Sequence, residues 1–92
     1  MIVSFRDAHT ERVFRRLPSR LPPELQRRAH RKLLLIDAAR TLDDLRIVPG
    51  NRLEQLTADR RGQHSIRVNR QWRICFRWRD GDAHEVEICD SH

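Results

Sequence analysis

The apolar residues of this 92-residue chain keep two different periods, and the change falls at Pro49-Gly50. Before it, Leu25, Ala29, Leu33 and Ile36 recur at spacings of four, four and three, the stripe of an amphipathic helix facing a core. After it, Ile66 and Val68, then Trp72, Ile74, Phe76 and Trp78, then Val86 and Ile88 alternate with polar residues, as strands buried on one side do. The length suits one compact domain and is too short for two. The order of periods predicts a single α+β domain over residues 1–92, with N-terminal helices on one face of a small, mostly antiparallel sheet.

Local signals refine this outline. Met1 to Phe5 reads as a first strand. Asp7 is placed to cap a helix running to about Arg16 that buries Val13, Phe14 and Leu17, with Pro18-Ser19 ending it. Pro22-Pro23 opens a longer helix, since proline is tolerated in a first helical turn. Arg27, Arg28 and Arg31 fall off its apolar stripe and face water or a partner. Thr41-Leu42-Asp43-Asp44 has the form of a capping sequence for one further short turn.

The register of the strands follows from parity, because directly opposed residues point to the same face. A three-residue connection, Asn69-Arg70-Gln71, sets Val68 against Trp72 and Ile66 against Ile74. A two-residue turn would set Ile66 against Arg73, which burial forbids. The turn around Asp80-Gly81 has two permissible lengths. In this register the other face carries Ser65, Arg67, Arg73 and Arg77, with Glu85 and Glu87 on the next strand, and Arg67 directly opposes Arg73. Like charges so placed are destabilising. Either the sheet holds an anion between the two guanidinium groups, or Glu85 and Glu87 neutralise them.

Charge points the same way. Nineteen basic residues face thirteen acidic ones, and all the basic ones but Lys32 are arginine, whose planar fork matches phosphate and stacks on bases. From Arg60 to Arg79 there are seven arginines and no acid; from Asp80 to His92 there are five acids and no arginine or lysine. A polyanionic partner fits this distribution. No apolar run approaches a membrane span and the opening residues lack a signal peptide's apolar stretch, so a cytoplasmic protein without membrane contact is expected. Cys75 and Cys89 have no metal-ligand spacing and read as two reduced thiols. Neither a metal nor a cofactor is expected in a chain this small.

Three segments carry a resemblance: Asn51-Arg52-Leu53-Glu54, Gly62-Gln63-His64-Ser65-Ile66-Arg67-Val68-Asn69, and Gln71-Trp72-Arg73-Ile74-Cys75-Phe76. With the ending Val86-Glu87-Ile88-Cys89-Asp90-Ser91-His92, the opening strand and the Lys32-Leu33 to Ala39 helix, they resemble the HigB-type plasmid-maintenance killer proteins of the RelE/ParE toxin superfamily over nearly the whole chain. The resemblance implies a RelE-like fold and a toxin neutralised by a helix-turn-helix antitoxin of the HigA kind. It implies an activity as well, cleavage of mRNA on the ribosome.

Matched position by position, Arg73 falls on a family active-site arginine, and Asp90 and His92 on its C-terminal acid and histidine. Departures are equally clear. The family's terminal tyrosine is Ser91 here, and the chain contains no tyrosine. A histidine and a lysine used by some members fall at Glu54 and Thr57. Chemistry with two lysines and a tyrosine is impossible, because Lys32 is the only lysine and lies in a helix.

A reduced set remains for attack by the ribose 2′-OH. Glu54 or Asp90 is the candidate base and His92 the candidate acid. Arg73, helped by Arg67, is the candidate stabiliser of phosphate charge. Arg60, Arg61, Arg67, Arg70 and Arg77 are the candidate RNA-binding residues. Each has a plainer reading: Glu54 as an ion-pair partner, Asp90 as the close of the last strand, His92 as a disordered end. His64 shares parity with Ile66 and reads as a core-edge residue. Two further functions stay open, a ribosome- or assembly-directed toxin with little cleavage and a gyrase-binding toxin like the ParE relatives. As Arg73 points away from Trp72 and Ile74, its truncation should spare the core, with relief of the opposition to Arg67.

Overall fold

The computed structural model describes residues 1–90. Three helices come first: α1 (Ala8–Phe14), α2 (Pro23–Ala38) and α3 (Leu42–Arg46). Four strands follow, β1 (Glu54–Gln55), β2 (His64–Arg67), β3 (Trp72–Arg79) and β4 (Asp82–Asp90), with a 3-10 turn at Ala58–Arg60. They form one antiparallel sheet in the order β1-β2-β3-β4. The α+β architecture is the expected one. No helix among the described residues is long and apolar enough to cross a membrane.

The stripe of α2 is buried at all four expected positions, Leu25, Ala29, Leu33 and Ile36. It packs with Val13 of α1 and Leu45 of α3 against Ile66, Ile74, Phe76, Ala83 and Val86 of the sheet. Asp7 caps α1, its carboxylate accepting from the Thr10 amide at 2.7 Å. Thr41 and Asp44 form the reciprocal capping box of α3. The backbone amides of Arg40 and Thr41 hold the Asp44 carboxyl below its ordinary pKa.

The β2–β3 register is the one parity requires, with Ile66 opposite Ile74 and Arg67 opposite Arg73. The Asn69 side chain shapes the connection by accepting from the amides of Gln71 at 2.9 Å and Trp72 at 2.8 Å. The second turn has two residues, Asp80 and Gly81, both at positive φ (52° and 80°), the geometry that suits the twist of a tight hairpin. It pairs Trp78 with Ala83, an odd-numbered residue, whereas Val86 and Ile88 are even. A bulge between Cys75 and Arg77 reconciles them, taking up Glu85 at φ 52° so that all three point to the core side.

Three expectations need correction. Leu17 is 49% exposed, because α1 stops at Phe14. Arg16 turns left-handed (φ 57°) and the Leu17 amide reaches back to the Arg12 carbonyl at 2.8 Å, closing the helix before the prolines. Met1 to Phe5 is not a full strand. It lies along β4 through two isolated parallel bridges, Ile2 to Ala83 and Phe5 to Val86. Ser4 Oγ and Thr10 Oγ1 accept the amides of Glu85 (2.8 Å) and Ile88 (2.9 Å), so this edge is covered by polar side chains as well as backbone. Third, Cys75 and Cys89 are joined by a disulfide rather than standing as two thiols. The register explains it: Cys89 opposes Arg73, so Cys75 is its diagonal neighbour on the same face, with Cα atoms 6.8 Å apart.

Burial separates two substitutions that look alike on paper. Phe76→Ala, at a site with no exposed surface, should lower unfolding stability by roughly 3–5 kcal/mol. Leu17→Ala should stay within about 0.5 kcal/mol. Urea titrations of both variants give the comparison, and equal losses would contradict the helix boundary.

Candidate active site

The sheet face away from the helices carries Glu54 and Ser65 in one row, Arg67 and Arg73 in the next. Arg73 is held from two sides. Its Nε donates to Ser65 Oγ at 2.8 Å and its Nη2 to the Arg52 carbonyl at 2.9 Å. Glu54 Oε1 lies 3.9 Å from the same Nη2. The Arg73 side chain is 16% exposed, that of Glu54 58%. The bonding positions are therefore neutral, and the one carboxylate nearby stands at the limit of an ion pair.

Two residues that the sequence did not single out set this geometry. Ser65 is fully buried and receives Arg73 directly. Asn51 is fully buried beneath the segment that delivers the Arg52 carbonyl. Its Nδ2 donates to the Leu45 carbonyl at 2.9 Å, its carbonyl accepts the Arg67 amide at 2.6 Å, and its Oδ1 accepts from Lys32 Nζ. Arg52 then adopts φ 46°, uncommon outside glycine. The only sequence signal was a polar residue beginning a motif that ends in Glu54.

Arg67 and Arg73 are opposed on the backbone but diverge in their side chains. Arg73 leans to Ser65, whereas Arg67 Nε bonds the Asn69 carbonyl at 3.1 Å beside the turn. Glu85 and Glu87 neutralise neither: Glu85 pairs with Arg77 (2.8 Å), and Glu87 with Arg60 (3.4 Å) and Arg6 (3.5 Å).

The five arginines grouped on RNA are thus divided. Arg60, Arg61 and Arg77 gather at one end, where Arg77 Nη1 also reaches the Arg61 carbonyl at 3.3 Å. Gly62 allows that passage, since a Cβ there would stand 2.8 Å from Arg77 Nη1. Arg67 and Arg70 stand at the other end, beside α2.

Asp90 closes β4 opposite Trp72, one residue out of phase with Cys89, which opposes Arg73. Its Oδ2 accepts from Gln71 Nε2 at 3.1 Å. His92 lies outside the described residues, so Arg73 and Glu54 are the two candidates the fold visibly brings together. His64 stacks on Phe76, and burial, then Arg46, lowers its pKa. Its Nδ1 has no hydrogen-bond partner among the described residues. No group of three potential metal ligands occurs among the described residues.

Helices backing a small antiparallel sheet whose open face presents a tethered arginine define a RelE-like architecture. A chain of the YoeB-YefM complex from Staphylococcus aureus superposes with a TM-score of 0.62 at 16% identity, over 100% of this chain and 98% of that one, a likeness of fold. Residues 3–92 match the model of the HigB-like toxins, described as the RelE-like toxin of the type II toxin–antitoxin system HigB, and the chain belongs to that family. It is 40% identical over 85 residues to Toxin HigB-1 of Vibrio cholerae serotype O1, covering 90% of each. It is 33% identical to Endoribonuclease HigB of Proteus vulgaris over the whole of both chains.

The tether changes what Arg73 truncation should do. Arg73→Ala leaves the buried Ser65 hydroxyl without its donor, so stability should fall by about 1–3 kcal/mol instead of holding or rising. Arg67→Ala, which loses one bond to a turn carbonyl, should cost less. Chemical denaturation of the two variants checks the order; an equal or larger loss for Arg67→Ala would show that the Ser65 hydrogen bond carries no stability.

Proposed function

We propose that this toxin is a ribosome-dependent endoribonuclease that cuts mRNA and stops growth in the cytoplasm until a HigA-type helix-turn-helix antitoxin binds it. The observation that carries this reading is the Arg73 guanidinium, fixed by uncharged groups with the Glu54 carboxylate 3.9 Å away. Arg73 meets the scissile phosphate and stabilises the charge that builds on its oxygens. Glu54 takes the proton of the ribose 2′-OH, whose oxygen attacks phosphorus and expels the 5′-oxygen. The leaving oxygen takes a proton, for which His92 is the proposed donor, and the products are a 2′,3′-cyclic phosphate and a 5′-OH. Asp90 is the second candidate for the base. Arg61, Arg67 and Arg70, which form no ion pair among the described residues, are the RNA-following residues best placed to serve; Arg60 and Arg77 already face carboxylates.

The absence of tyrosine favours one further reading, a toxin that disables ribosomes or their assembly with little cleavage. Mapping mRNA 5′ ends after brief induction separates the two. New ends should appear with the unaltered chain and fall by about 10²-fold or more with Glu54→Gln. Arg73→Ala should abolish growth arrest, and co-expression of the proposed helix-turn-helix antitoxin should relieve it in the unaltered chain. Growth arrest with no new 5′ ends would select the non-cleaving reading, and unimpeded growth at high soluble expression would exclude both.

A further inference from the structure

The arginines of α2 that fall off its apolar stripe do not simply face water. Arg28, Arg31 and Lys32 line one wall of a cleft of about 490 Å³, and Arg67 and Arg70 of the β2–β3 connection line the other. Among the described residues no carboxylate lines it, and none of the five cations makes an ion pair. Elsewhere some arginines do meet a carboxylate among the described residues, among them Arg15 with Glu11, Arg27 with Glu24, Arg46 with Asp43 and Arg77 with Glu85, while others such as Arg12, Arg20 and Arg61 do not; what sets the cleft apart is that five cations share one concavity. Five cations collected in one concavity repel each other, and low-dielectric walls focus their field on whatever enters.

Lys32 is the most constrained of the five. It is half-buried, and Nζ is fixed by donating to Asn51 Oδ1. An ammonium has three donors, so two remain for a ligand. Burial, and then Arg28, push its pKa below the ordinary lysine value. An anion in the cleft would offset the repulsion by Arg28 and favour the charged ammonium. Arg28 and Arg31 stand three residues apart on the helix, a spacing that makes their side chains neighbours on one surface.

Arg67 decides what kind of anion. It lines the cleft and is also the residue directly opposite Arg73 on the sheet. Arg67 thus links the Arg73 row of the sheet to the cleft that holds Arg28, Arg31 and Arg70. Guanidinium forks suit the paired oxygens of a phosphodiester.

We infer that the α2 cleft is a phosphodiester site that grips RNA backbone beyond the point of cleavage, separate from the group that performs it. This rests on the RNA reading above, and its failure is distinguishable from failure of that reading.

The test uses the full chain and a single-stranded 2′-O-methyl RNA oligomer, which has no free 2′-OH and cannot be cut. Fluorescence anisotropy across a KCl series gives affinity and its salt slope. The double variant Arg28→Ala/Arg31→Ala should bind at least tenfold more weakly at low salt, its log–log slope falling by ~0.7 for each phosphate no longer neutralised. Arg12→Ala/Arg20→Ala, which removes two exposed arginines outside the cleft, should keep the slope and stay within about twofold. Titration against ribosomes without mRNA assigns the phosphodiester to ribosomal RNA if the double variant loses affinity there, and to mRNA if it does not. Circular dichroism confirms that each variant is folded. An unchanged slope in the Arg28→Ala/Arg31→Ala variant overturns the inference. So does loss of antitoxin binding with RNA binding intact, which would make the cleft a seat for acidic protein. RNA gripped through the cleft but never cut by the unaltered chain would leave this site standing and remove the cleavage reading.

Discussion

The pairing of Ile66 with Ile74 governs the rest of the molecule. Both are fully buried, and a slip of one residue would turn the whole strand inside out. Holding them together fixes Arg67 against Arg73, an opposition that electrostatics alone would reject. The fold accommodates it by drawing the two guanidinium groups in opposite directions, one to Ser65 and the Arg52 carbonyl, the other to the Asn69 carbonyl. Burial therefore decides the backbone position of the arginines, and local hydrogen bonding decides where their charges go.

Charge divides along the same line. The acidic block that follows the arginines does supply counter-charges, but only at one end: Glu85 meets Arg77, and Glu87 meets Arg60 and Arg6. Toward the β2–β3 turn the nearby acid, Asp90, meets Gln71, no carboxylate among the described residues pairs with Arg67 or Arg70, and α2 adds three cations of its own. Arginines of one block in the sequence thus differ in the structure, those at one end largely neutralised and those at the other not. A count of charges along the chain conceals this, because the neutralising partners come from another strand, 27 residues away in the case of Arg60 and Glu87.

What was legible in the sequence is what local rules and parity control. The α2 stripe, the caps at Asp7 and Thr41, the three-residue connection and the opposed arginines all follow from spacing or from which face a residue must take. Illegible were the features that depend on a segment arriving from elsewhere. Parity puts Cys75 and Cys89 on one face, yet their meeting needs the bulge at Glu85 to set the β4 register. The α1 terminus needed a left-handed arginine that no residue preference announces. Asn51 looked like any loop asparagine, and its importance comes from the hydrogen bonds that tie it to α2, α3, the loop after α3 and β2. Glu54 and Arg73 were each noticed, but their proximity depends on the two-residue strand β1.

The manner of holding Arg73 bears on the role proposed for this one arginine among eighteen. A guanidinium fixed by a carboxylate gains position and loses charge together, as Arg77 does against Glu85. Arg73 is fixed by a hydroxyl and a backbone carbonyl, which orient it without cancelling its charge. Its Nη1 hydrogens and one on Nη2 have no hydrogen-bond partner among the described residues, since the fork carries five donors and the tether uses two. Electrostatic stabilisation is strongest when the donor need not reorganise as charge develops. A buried serine and a left-handed backbone residue are an expensive way to place one side chain, and they make sense where orientation and charge are both needed at the same atom.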